Sequence, residues 1–225
     1  NADIISVDDP GLPGTLAHEF QHMVHWANDS NEETWMNEGA SVLSELLTGH
    51  HPGGFDLAFA VNPDLQLNAW SNTGGGPESV PHYGAAFLFL DYFLERFGES
   101  ATRALVAHQA NGLTAMDAVL QQLNIIDPLS GNPINTDTVF QDWVVANYLG
   151  DTSWADGRYG YRDYAEAPRV MPTASLGCTT PTGAMSVHQY AADYITIDCP
   201  SATSASFSGD ELVRAVPTRP HSGDF

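Results

Sequence analysis

His18-Glu19-Phe20-Gln21-His22 places two imidazoles four residues apart with a carboxylate between them. On a strand or in a loop such side chains diverge, whereas on an α-helix residues i and i+4 return to nearly the same face. The pentapeptide can therefore act as a unit only on a helix, and the flanking residues predict one independently. Pro13 suits a first helical turn, and Leu16, Phe20, Met23 and Val24 recur at helical spacing up to about Trp26. Both imidazoles can then reach one zinc ion, while Glu19, one step round the helix, can reach a water without being forced to ligate. The same pentapeptide also arises by chance as two solvated histidines and a surface glutamate, so its surroundings decide.

Those surroundings supply a third ligand. Catalytic zinc needs three protein ligands and an open position. Residues 27–33 are polar and read as a loop, after which residues 35–47 form a second helix closed by Gly49. An antiparallel return brings Glu38, in Trp35-Met36-Asn37-Glu38-Gly39-Ala40-Ser41, beside His18 and His22. Two rivals exist. His25 shares a face with His18, but the helix carries it away from the metal and makes it an outer or surface histidine. Glu45 lies two turns beyond Glu38 and is otherwise an ordinary surface carboxylate. With His18, His22 and Glu38 as ligands, Glu19 is the candidate general base, since zinc brings a water close enough to neutrality for a carboxylate to take its proton.

HEFQH followed by WMNEGAS resembles the gluzincin peptidases, in which the glutamate of HExxH is the base and the glutamate of an Asn-Glu helix is the third zinc ligand. With its HEFQHM start and short inter-helix connection the segment is most similar to the hyicolysin-like bacterial secreted metallopeptidases. The match covers roughly residues 14–47, with a looser likeness of helix pattern to about residue 150. Glu45 matches the acid found further along the same helix in the aminopeptidase N branch. The connection from His22 to Glu38 is shorter than in thermolysin or aminopeptidase N, and the acidic residue that thermolysin carries four places after the ligand falls here on Val42. Orientation of the zinc histidines must then come from Glu45 or a backbone carbonyl. The metzincin pattern is excluded, because Asn28 and His25 stand where its third histidine and glycine belong. Gluzincins commonly use a tyrosine or histidine from a later element to donate to the oxyanion, which points to Tyr83 or the adjacent His82; a tyrosine that merely caps a helix is the alternative. The tyrosine–lysine-glycine spacing and the glycine-rich exopeptidase motif are both absent, which favours an endopeptidase. The resemblance thus implies a secreted zinc endopeptidase acting on protein or peptide substrates; the competing reading is a non-proteolytic surface or binding module that keeps the fold.

The rest of the chain predicts a mainly α protein: a zincin-like helical catalytic domain over residues 1–170, opened by a short strand at Ile4, Ile5 and Val7, then a small β-rich and incomplete C-terminal segment over residues 171–225. Helices are expected over residues 83–97, stopped by Gly98, and over 101–110, 115–123 with Thr114 as N-cap, and 139–149 starting near Asp137. Residues 50–81, rich in Gly, Pro and Asn, read as a long loop with at most a short strand at 65–70. Strand-like alternation covers 190–198, 202–207 and 212–216. Cys178 and Cys199 are the only thiols; an even pair there favours one disulfide and an oxidising compartment over two free buried thiols. His50-His51 reads as a solvated pair, and residues 151–163 do not fit an EF-hand loop.

Charge narrows the partners. The chain has 28 acidic residues against 7 basic ones, all arginine, for a formal net charge of -21 at pH 7. Such a field repels phosphate backbones and anionic lipid, which argues against nucleic acid and membrane partners. No run of about 18 apolar residues occurs, and residues 1–10 have neither a basic start nor an apolar core. The chain opens almost directly onto its motif, which leads us to expect a piece of a longer precursor. Nothing in the sequence signals an oligomeric state.

Overall fold

The computed structural model describes residues 8–51, 53–70, 76–179, 183–200 and 204–218. The strand expected at Ile4, Ile5 and Val7 lies outside them.

The chain is mainly helical. α1 spans Leu12–Asn28 with Pro13 in its first turn, and it ends where Asp29 turns extended. α2 spans Thr34–Leu47, and Gly49, at φ 84°, takes the left-handed conformation that lets the chain leave the helix. The two helices run antiparallel: Ser44 Oγ donates to the Ala17 carbonyl at 2.9 Å near one end, and His22 meets Asn37 near the other. α1 turns its polar face, with His18, Gln21, His22 and His25, towards α2. Its apolar stripe points the other way, and Leu16, Phe20, Met23 and Trp26 are all more than half exposed. Helical spacing fixed which residues share a side, but not which side packs inward.

Residues 50–81, expected to be loop, hold the short helix α3, Phe55–Ala60. Six residues are too few to show a helical period, so composition misleads there. What stabilises α3 is burial: Phe59 and Ala60 are buried, and the Phe59 ring stacks on Trp143 with centroids 5.5 Å apart. A 3₁₀ turn, Pro77–Ser79, leads into α4, Val80–Val106. Gly98 interrupts α4 at φ 81°, ψ 172°, so the chain breaks where the glycine predicts, although helix resumes at once. α4 is the central element. Ala85 to Phe93 are buried without exception, and each fully buried Phe or Leu contributes about 1.5–3 kcal/mol relative to exposure. Two glycines let helices approach closely: a Cβ on Gly39 of α2 would stand 2.8 Å from the Ala86 backbone, and one on Gly84 of α4 would collide with the Phe55 carbonyl of α3.

α5, Gly112–Gln122, begins after Asn111, three residues earlier than expected, so Thr114 lies inside the helix and is not its N-cap. α6, Thr136–Leu149, starts at Asn135, whose side chain accepts from the Thr138 N–H at 2.9 Å, and ends at Gly150, φ 55°.

The C-terminal segment holds less β-structure than its alternation suggests. Two strands, β1 at Ala174–Gly177 and β2 at Ile195–Asp198, pair in parallel with Gly177 opposite Asp198. The next residue on each strand is a cysteine, and Cys178 and Cys199 form a disulfide with Cα atoms 4.9 Å apart. Residues 204–207 and 212–216 are not strands. Upstream of β2, side-chain hydrogen bonds hold the chain instead: Tyr190 donates to Asp137 at 2.6 Å and Tyr194 to the Val144 carbonyl at 3.0 Å. Alternation marks residues able to face two ways, but a strand also needs a neighbour with free N–H and C=O groups. Among the described residues no helix is long and apolar enough to cross a membrane.

Candidate metal centre

The α1–α2 pair brings His18, His22 and Glu38 together. Glu38 Oε2 lies 3.2 Å from His18 Nε2 and 3.5 Å from His22 Nε2, and one ligand atom from each residue falls within 4.8 Å of the other two. The imidazoles meet edge to face with centroids 4.9 Å apart. Both rings point Nε2 inward because their Nδ1 atoms are held from behind. His18 Nδ1 bonds to Glu45 Oε1 at 2.8 Å, and a carboxylate can only accept, so Nδ1 carries the proton. His22 Nδ1 lies 3.0 Å from Asn37 Oδ1 and 3.0 Å from Ser41 Oγ, and Ser41 in turn donates to Gln21 Oε1 at 2.7 Å. A ring whose far nitrogen is fixed this way presents its other nitrogen as a lone pair, which is how metal-binding histidines are generally oriented.

Electrostatics point to the same atoms. Burial would lower His18, but the carboxylates of Glu38 and Glu45 reverse that and push it up to about 9. Burial would raise Glu38, and the two imidazoles instead pull it down to about 2. The centre therefore favours a positive charge between these groups, which a proton or a metal ion satisfies. The donor set, two imidazole nitrogens and a carboxylate oxygen, suits a divalent transition ion, so the residues present fit such a group.

The remaining sequence-derived residues fall at different places. Glu45 bonds His18 from behind and lies outside the group formed by His18, His22 and Glu38. Val42, fully buried in the core, leaves no room there for an orienting acid. Glu19 is exposed on α1. Tyr83 reaches the site from α4: its ring centroid lies 6.4 Å from that of His18, and burial, then the charges of Glu38 and Glu19, push its phenol up to about 12. Phe55 stacks on Tyr83 at 5.0 Å and Trp70 meets it edge-on at 4.8 Å, so two aromatic rings fix its position. The helix makes no side-chain cap hydrogen bond at its N-terminus. His82, one residue earlier, turns a different way: its ring lies 6.0 Å from Trp70, its Nδ1 is buried without a partner, and burial lowers its pKa against a hydrogen bond to the Ala69 backbone. His25, expected as an outer or surface histidine, is only 1% exposed.

Sequence reasoning did not single out Asn37, Ser41, Phe55 or Trp70. Asn37 and Ser41 flank Glu38 at helical spacing, a signal that was available, whereas Phe55 and Trp70 become site residues only through the folding of α3 against α4.

No protein-family model matches the chain, and no curated protein is significantly similar to it. Fold and site together define a mainly helical protein with a candidate His–His–Glu metal centre on an antiparallel helix pair.

Proposed function

We propose that this protein is a zinc-dependent endopeptidase of the gluzincin type, with His18, His22 and Glu38 holding the metal. The observation that carries this reading is the convergence of both Nε2 atoms on Glu38 while both Nδ1 atoms are tied back by Glu45, Asn37 and Ser41. A zinc ion there supplies Lewis-acid polarisation of a peptide carbonyl and a lowered pKa for water. Glu19, beside His18 on α1 and exposed, accepts the proton of the attacking water and returns it to the leaving amine. Tyr83 stays protonated at neutral pH, with its phenol raised to about 12, and donates to the oxyanion as it develops. Glu45 keeps His18 in the tautomer whose Nε2 is a lone pair. The Cys178–Cys199 disulfide supports an oxidising, extracellular setting.

The test is zinc content together with chelator-sensitive cleavage of an unstructured protein substrate, in the wild type and in Glu19→Gln. The amide keeps the shape of the carboxylate but cannot take a proton, so hydrolysis should fall by at least about 10²-fold with zinc retained. Undiminished turnover in the variant would remove Glu19 from the mechanism. Zinc without any cleavage by the wild type would point instead to a metal-holding binding module.

A further inference from the structure

Beside the candidate centre stands a wall of aromatic rings. Phe55 stacks on Tyr83 with centroids 5.0 Å apart, Trp70 meets Tyr83 edge-on at 4.8 Å, and Trp70 also lies 6.0 Å from the His82 ring. Tyr83 is itself 6.4 Å from His18, and the charges of Glu38 and Glu19 both act on its phenol. The wall is thus within one side chain's reach of the histidines. Phe55 comes from α3, Tyr83 from α4 and Trp70 from the chain between them. Each of the three is half-buried, so none is sealed in the core.

The wall belongs to a part of the chain with neither lysine nor arginine. Residues 1–95, which include α1, α2, α3 and α4 as far as Glu95, hold 14 of the 28 acidic residues and none of the 7 arginines. Arginines further on are engaged with acids of their own region: Arg96 with Asp156, Arg103 with Glu99, and Arg158 with Asp127, Asp142 and Asp156. Three carboxylates serve the centre, Glu38 and Glu45 against the imidazoles and Glu19 one residue along α1 from His18. With the imidazoles neutral as ligands, a divalent ion offsets two of these charges and leaves the third. The group stays negative with the ion bound.

A ligand side chain at this place is chosen by both features. An apolar one gains burial against the rings and nothing from the charge. An acidic one is repelled. A guanidinium or ammonium on an aliphatic stem lays the stem along the rings, and its charge is attracted both by their faces and by the carboxylates.

We propose that Phe55, Trp70 and Tyr83 form a subsite for an arginine or lysine side chain flanking the bond to be cleaved, with Trp70 setting the preference. This rests on the peptidase reading of the centre and narrows its substrates to basic polypeptides. Trp70 is the determinant because indole is the strongest cation-binding ring of the three types, and because Tyr83 already serves the oxyanion.

Internally quenched peptides of alanine with one central arginine, lysine, leucine, phenylalanine or glutamate test the preference. The arginine and lysine peptides should show kcat/KM about 10-fold above those with leucine and phenylalanine, with glutamate the poorest. Salt should narrow the arginine-to-leucine ratio, as it screens the carboxylates. Trp70→Leu, which keeps an apolar side chain, should lower that ratio by about 5-fold or more. If Trp70 only packs, the variant slows every peptide alike and the ratio stays put, which overturns the assignment, as does a wild-type preference for leucine or phenylalanine. Binding is scored apart from cleavage by calorimetric titration of N-acetylarginine amide and N-acetylleucine amide, both too short for an endopeptidase. The arginine compound should bind more tightly to the wild type and lose its advantage in Trp70→Leu; equal or inverted binding overturns the subsite. Arginine preference in binding with no peptide cleaved would remove the peptidase reading and leave the cation subsite standing.

Discussion

Each imidazole of the candidate metal centre has two nitrogens and only one faces Glu38, so the groups behind the ring matter as much as the residues proposed as ligands. Glu45 behind His18, and Asn37 with Ser41 behind His22, decide which nitrogen faces Glu38. Glu38→Ala should therefore abolish tight zinc binding, whereas Glu45→Gln, which keeps a hydrogen bond but loses the charge, should weaken it by about 10- to 100-fold. Competition with a chelating dye measures both, and a reversed order would make Glu45 the ligand. Tyr83 is a separate case. If its hydroxyl meets the oxyanion, Tyr83→Phe should lower kcat by about 10²- to 10³-fold with KM little changed, since the contact is made chiefly in the transition state. An unchanged kcat would take Tyr83 out of the reaction. The grouping of His18, His22 and Glu38 was legible in the sequence because helical periodicity sets the two histidines on one face and a short loop to a second, antiparallel helix returns Glu38 beside them. Choosing between Tyr83 and His82 was not possible there, since neighbouring residues on a helix differ by about 100° and only the packing of Phe55 and Trp70 settles which one turns to the metal centre.

At the level of elements the long helices were readable from period and glycine punctuation, and Gly49, Gly98 and Gly150 mark chain breaks in the structure as well. The inward face of α1 was not readable, because its polar residues pack on α2 while its apolar stripe is exposed. α3 escaped notice for want of length, yet it supports Tyr83 through Phe55. α4 also carries a buried acid that no sequence pattern announces. Asp91 is 3% exposed with Oδ2 unpartnered, and burial, with the nearby charges of Glu95 on the same helix and Asp163 on the segment packed over it, pushes its pKa up to about 8. In the unfolded chain an aspartate titrates near about 4. The folded state thus binds the proton more tightly, and the stability it contributes is full below about pH 4 and lost as pH rises through about 8. Asp91→Asn should flatten this slope. Urea unfolding of wild type and variant at pH 5 and pH 8 should show the variant gaining roughly a few kcal/mol on the wild type between the two. Parallel curves would mean that Asp91 is ionised in the fold throughout.

Across the whole molecule, the two ends of the described chain are stabilised by different means. The helical body has its aromatic core and, where few cations exist, concentrates one of them: Arg158, 4% exposed, reaches Asp127 at 2.6 Å, Asp156 at 2.7 Å and Asp142 at 3.0 Å. The segment after Val170 has two short strands, and β2 is exposed along its length, so little apolar burial stabilises the pair. It is joined to the body by the Tyr190 and Tyr194 side-chain hydrogen bonds, by backbone bonds from Leu67 N–H to the Tyr190 carbonyl and from Met171 N–H to the Ala60 carbonyl, and by ring contacts of Tyr190 with Phe140 and Tyr194 with Tyr148, and its internal closure is the disulfide across 21 residues. A loop of that size stabilises by about 3 kcal/mol in the chain-entropy account. That contribution should be local. Cys178→Ser/Cys199→Ser should leave the zinc content and the main thermal transition of the helices nearly unchanged, while amide hydrogens of β1 and β2 exchange faster by about 10²-fold, the equivalent of roughly 3 kcal/mol. Hydrogen exchange read by mass spectrometry on peptides from residues 174–198 and from α4 separates the two regions. Equal acceleration in α4 would mean that the segment and the helical body open together, and that the disulfide stabilises the whole fold.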